Sequence, residues 1–80
     1  MPTVLRLNGY RFYFYSHEPN EPPHVHVDRD GCSLKAWLEP VAMAKNVGFR
    51  PREISSIINM VRQHQGNLLK AWHGYFGTNR

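Results

Sequence analysis

A single cysteine, Cys32, stands in this chain of 80 residues. It permits no internal disulfide and no multi-cysteine zinc site, and it suits a reducing compartment. No uninterrupted apolar stretch approaches the ~18 residues of a membrane span, so no membrane partner is expected. The opening Met1-Pro2-Thr3-Val4 carries neither the charged nor the apolar region of a signal peptide, and a cytoplasmic protein is expected. There is no glycine-rich phosphate loop, no Ser/His/Asp motif, no internal repeat and no low-complexity tail. Acidic residues are scarce: six Asp and Glu face ten Lys and Arg, a formal net charge of +4. That excess favours acidic partners such as nucleic acid or an acidic protein. It fits a basic but unspecialised surface equally well.

Eighty residues make one domain, 1–80, around a small core. With 41% apolar and 20% charged residues, the composition is that of a folded globular chain. Short β-prone runs come first. Thr3 to Leu7 and Tyr10 to Tyr15 flank Asn8-Gly9, a strong hairpin signal because both turn residues tolerate positive φ in a type I′ turn. Ser16 to Pro23 contains three prolines and reads as a loop. His24 to Arg29 and Ser33 to Leu38 flank a second turn signal, Asp30-Gly31. Glu39-Pro40 ends the fourth strand, and Val41 to Lys45 suits a short fifth.

The apolar period then changes. Ile54, Ile57, Ile58 and Val61 recur at one helical face, with Pro51 placed for a first helical position. Gly66 interrupts, Asn67 is placed to cap a second helix, and Leu68, Leu69, Trp72, Tyr75 and Phe76 form its stripe up to Gly77. The expected fold is α+β: an antiparallel four- to five-stranded meander over about 3–45, then a helical pair, or one helix kinked near Gly66, over about 51–76, packed on one sheet face.

Alternation along strands sorts the two sheet faces. Tyr10, Phe12, Phe14, Val25, Val27, Leu34, Ala36 and Leu38 should meet the helices. The opposite face then collects Arg11, Tyr13, Tyr15, His24, His26, Asp28, Lys35 and Trp37, provided that no strand slips by one residue. Four readings of this second face stand open. His24 and His26, one residue apart on a strand, can serve one zinc or other divalent ion, with His17, Glu18, Glu21 or Asp28 completing the shell. The same imidazoles can act as acid and base in metal-independent RNA cleavage, with Arg11 or Lys35 on the phosphate. Arg11, Tyr13, Tyr15, Lys35 and Trp37 can bind RNA or DNA by stacking and charge, or anchor a protein partner. Finally, these can simply be amphipathic residues suited to a half-wet sheet. Elsewhere, Cys32 reads as a small residue at a hairpin and Trp72, Tyr75 and Phe76 read as core. Arg50, Arg52, Arg62 and Lys70 read as a solvated helix face.

The stretches "YRFYFYSHEPNEPPHVHV", "KAWLEPV" and "LLKAWHGYFG" resemble the small bacterial proteins of domain-of-unknown-function family 4160, from Met1 to about Gly77. The resemblance implies a bacterial cytoplasmic origin and a small partner protein encoded by a neighbouring gene, the two often described as a toxin–antitoxin module. It supplies no catalytic residues, no role as toxin or antitoxin, and no oligomeric state. Relatives of this kind tend to carry Ser or Thr where this chain has Arg50. A Ser-x-x-Glu capping box with Glu53 is therefore lost, at about 1 kcal/mol of helix stability.

Overall fold

The structure is a computed structural model and describes residues 3–15 and 20–77. Five antiparallel strands run in sequence order as an unbroken meander: β1 (Thr3–Leu7), β2 (Tyr10–Tyr13), β3 (His24–Arg29), β4 (Cys32–Leu38) and β5 (Val41–Val47). Two helices follow, α1 (Pro51–Gln63) and α2 (Gln65–Phe76). The α+β class and the C-terminal helical pair are those read from the sequence, and the sheet has five strands.

Both turn signals perform as expected. Asn8 and Gly9 adopt φ of 53° and 84°, and Asp30 and Gly31 adopt 50° and 82°. Positive φ at both central residues matches the twist of a two-residue hairpin, so Leu7 faces Tyr10 and Arg29 faces Cys32. Strand lengths differ in detail. Strand β2 ends at Tyr13, although Phe14 continues its alternation into the core. Strand β5 runs two residues further than expected, to Val47, because Asn46 pairs with Leu34 and Val47 with Ser33.

The apolar face of the sheet is covered by the helices. Phe12, Phe14, Val25, Val27, Leu34, Ala36 and Leu38 are all buried, together with Ile57 and Val61 of α1 and Leu68 and Trp72 of α2. Helix α1 starts without a side-chain cap: Arg50 is extended, and only its carbonyl accepts the Ile54 amide at 2.9 Å. The helical break lies at His64 rather than at Gly66, and Asn67 is not a cap. His64 ends α1 and opens α2, its amide donating to Met60 O and its carbonyl accepting from the Leu68 amide. Gly66 and Asn67 sit exposed in the first turn of α2, where the first helical amides need no intrahelical partner. Gln65 then ties the helix to the sheet by donating from Nε2 to Leu38 O at 2.6 Å.

The joint between β5 and α1 is closed by one side chain. Asn46 donates from Nδ2 to Phe49 O at 3.0 Å, and its Oδ1 accepts from the Phe49 amide at 3.2 Å. The chain reverses between them at Gly48, with φ of +96°. A Cβ there would stand 2.9 Å from Cys32 Sγ, so the single cysteine packs where only glycine fits. Gly48→Ala is expected to lower stability by about 1–3 kcal/mol in urea unfolding, from strained backbone plus collision. Adding Cys32→Ala should recover the collision share alone, and a G48A chain as stable as the parent would contradict this packing.

Candidate functional site

Register places the seven residues singled out from the sequence on one face. Tyr13 lies across from His26, Arg11 from Asp28, His26 from Lys35, and His24 from Trp37. Tyr15, just beyond β2, joins them with its ring 4.4 Å from that of His26. The face is not wet at its centre, however. His24 is fully buried, and Tyr13 and His26 are 2% and 8% exposed. The expectation of a half-wet sheet is corrected here, because the rings cover one another. Tyr13 stacks on His26 at 5.4 Å, and His24 meets both His26 and Trp37 edge to face. At the start of β3 the two layers meet: the Trp72 ring lies 5.3 Å from Phe14 and 4.8 Å from His24.

The cations lie on top of these rings. The Arg11 guanidinium stands 4.6 Å from the Tyr13 ring centre and Lys35 Nζ 4.8 Å from that of Trp37. Such contacts hold the charge outward and the rings inward. The aromatic residues therefore form a packed layer with a basic skin. Tyr13 is closed off within it, whereas Tyr15 and Trp37 are half-buried.

His24 is fixed by more than packing. Its Nδ1 lies 2.9 Å from Pro22 O. A carbonyl only accepts, so Nδ1 carries the proton. Glu21 Oε1 is 3.9 Å from the same nitrogen and also accepts from Lys35 Nζ. The Pro22-Pro23 corner is thus pinned to the sheet, helped by the Leu38 amide, which donates to Pro23 O at 3.0 Å. Of the residues considered as further metal ligands, His17 and Glu18 lie outside the described residues. Asp28 accepts the Tyr13 hydroxyl at 3.0 Å. Among the described residues no three His, Cys, Asp or Glu side chains converge on one point.

Lys45, Ser33 and Arg6 were not singled out in the sequence, yet they belong to this face. A cleft of about 290 Å³ opens beside the aromatic layer, lined by Tyr15, His26, Ser33, Lys35, Lys45 and Val47. Lys35 and Lys45 stand directly opposite each other across β4 and β5. At the other end of the same face Arg6 stands directly opposite Arg11. Like charges so placed repel and cost stability. Alternation alone could have suggested Arg6. Lys45 reaches the face through a bulge between Lys35 and Ala36, which nothing in the local sequence marks.

A five-stranded meander backed by two helices, with a basic, aromatic-lined outer face, defines a small α+β domain. Residues 9–73 match the model of the family described as Domain of unknown function (DUF4160), and the chain belongs to that family. No curated protein and no solved structure matches the chain. No helix among the described residues is long and apolar enough to cross a membrane.

The Tyr13–Asp28 bond gives a direct test of the packed layer. Burial, the neighbouring Tyr15 and the Asp28 carboxylate together push the Tyr13 hydroxyl well above the ordinary tyrosine range. The neutral phenol is the form that the fold favours. Its contribution is therefore complete below the unfolded value of about 10, and is lost as pH rises from there through the raised folded value. Tyr13→Phe is expected to lower stability at neutral pH by about 1.5–3 kcal/mol, the scale of a bond to a charged acceptor. The gap between parent and variant should shrink in strongly alkaline urea titrations. A pH-independent gap would place the hydroxyl outside the layer described.

Proposed function

We propose that the protein is a binding module, not an enzyme, and that it holds single-stranded nucleic acid, RNA or DNA, by its backbone across the basic sheet face. The observation that carries this reading is the doubled like-charge pairing. Arg6 with Arg11 and Lys35 with Lys45 sit at the two ends of one face, about 15–20 Å apart at the usual strand spacing. A polyanion laid over that face relieves the repulsion between Arg6 and Arg11, adds to what Glu21 supplies at the lysine end, and releases counterions. Asp28 and Glu21, the acids on this side, are already engaged by Tyr13 and Lys35.

The burial of His24 weighs against the acid–base reading. Cleavage with His24 and His26 as the acid–base pair needs both imidazoles at the substrate, and here one has no exposed surface and spends Nδ1 on a backbone carbonyl. His26 alone borders the cleft. The same arrangement gives a shared metal ion little to work with, since His24 is turned among Trp37, Trp72 and His26.

A protein partner encoded by a neighbouring gene, as in a toxin–antitoxin pair, is the second reading. The feature that favours it is the edge strand β5, where Ala42, Met43 and Ala44 are exposed. An open edge of this kind accepts an added strand.

Fluorescence anisotropy with a labelled single-stranded oligonucleotide separates the two. Backbone binding through four cations predicts a log–log salt slope of about −3, falling in size by about 0.7 for each cation removed. Binding that ignores salt, or none at all while the neighbour-encoded protein forms a stoichiometric complex in native mass spectrometry, would replace this reading by the second.

A further inference from the structure

The cleft beside His26 has features that a backbone groove does not need. Its polar lining is the paired Lys35 and Lys45 with His26, Ser33 and Tyr15, beside the apolar Leu34 and Val47. Its volume of about 290 Å³ sits at the lower edge of the roughly 300–1,000 Å³ range of small-ligand sites. It is large enough for a phosphorylated sugar or nucleotide end and small for anything bigger. Lys45 makes no ion pair among the described residues, whereas Lys35 is held by Glu21. The chain thus already places a carboxylate oxygen of its own on one of the two lysines. Glu21 is half exposed at 42% and sits in the turn before β3, outside the strand ladder.

We propose that this cleft is a phosphomonoester site. Lys35 and Lys45 carry the charge, Ser33 and His26 are the neighbouring hydrogen-bonding groups, and Glu21 is an internal competitor that occupies Lys35 when the site is empty. Two lysines on directly paired strand positions can bring two ammonium groups to one phosphate, and they match the two negative charges of a terminal phosphate better than the single charge of a backbone diester. The proposal rests on the anion-binding reading of the face. It adds that a strand is held by its phosphorylated end, or that a free phosphomonoester is the ligand.

The test is a nuclear magnetic resonance titration of the full chain with inorganic phosphate, against chloride at equal ionic strength. Saturable shifts are expected for Ser33, Lys35, Lys45 and His26 with phosphate only. Lys45→Gln should weaken phosphate binding on the order of tenfold, the scale of one charge-assisted hydrogen bond. Glu21→Gln should strengthen it several-fold, a direction that a damaged fold would not produce. Oligonucleotides with a 5′-phosphate, a 3′-phosphate or neither then identify the source. Tighter binding of one phosphorylated end assigns the site to strand ends; equal binding of all three, with free phosphate saturating the cleft, assigns it to a free phosphomonoester. Shifts that do not saturate, or that survive unchanged in both variants, overturn the proposal. Saturable phosphate binding without any oligonucleotide binding leaves the cleft standing and removes the nucleic-acid reading instead.

Discussion

Everything on the outer face follows from β3 having to be buried on both sides. Its alternation, His24-Val25-His26-Val27, sends two valines into the helix-covered core and two imidazoles the other way. A central strand of this kind usually has one wet face. Here the second face is roofed by the chain's own aromatic residues, and His24 closes the roof by donating to Pro22 O and packing against Trp37 and Trp72. Imidazole suits the position. It is flat enough to join a ring layer, and it offers a donor to the carbonyl of a proline-rich corner that itself has few amides to give.

Once the rings are sealed, the charged groups are left on the skin. Arg11 and Lys35 lie over aromatic faces with their charges outward, and Arg6 and Lys45 stand beside them. Charge repulsion is a standing cost at the Arg6–Arg11 pair, while Glu21 offsets part of it at Lys35 and Lys45. The fold tolerates it because the core below is continuous from Phe12 to Trp72. The histidines, which look most like chemistry in the sequence, are thereby mostly architecture, and the lysines and arginines are the charged groups left on the surface.

Much of this was legible in the sequence. Asn8-Gly9 and Asp30-Gly31 dictate two hairpins of defined twist, and those hairpins set the registers that put Tyr13 opposite His26 and His26 opposite Lys35. The helical stripes from Ile54 to Val61 and from Leu68 to Phe76 read directly as two helices. Burial of the imidazoles was not legible, because alternation says which way a side chain points and not what lies above it. Nor was the lysine pair. A simple two-residue connection from Leu38 to Val41 would leave Lys45 opposite Leu34, facing the core. The bulge at Ala44 moves it by one place to lie opposite Lys35. The helix junction escapes a local reading for a related reason. Gly66 is the obvious local breaker, but the chain bends where α2 docks on the end of β4, through Gln65 and Leu38 O.

The claim that His24 is sealed into the fold rather than presented for chemistry is most directly tested by a long-range proton–nitrogen correlation spectrum of its ring in the free protein at neutral pH. A proton fixed on Nδ1 and slow to exchange with water is expected, as its bond to Pro22 O requires. An unprotonated Nδ1, or a ring proton exchanging at the rate of an exposed histidine, would contradict it and return His24 to the surface as a group free to act.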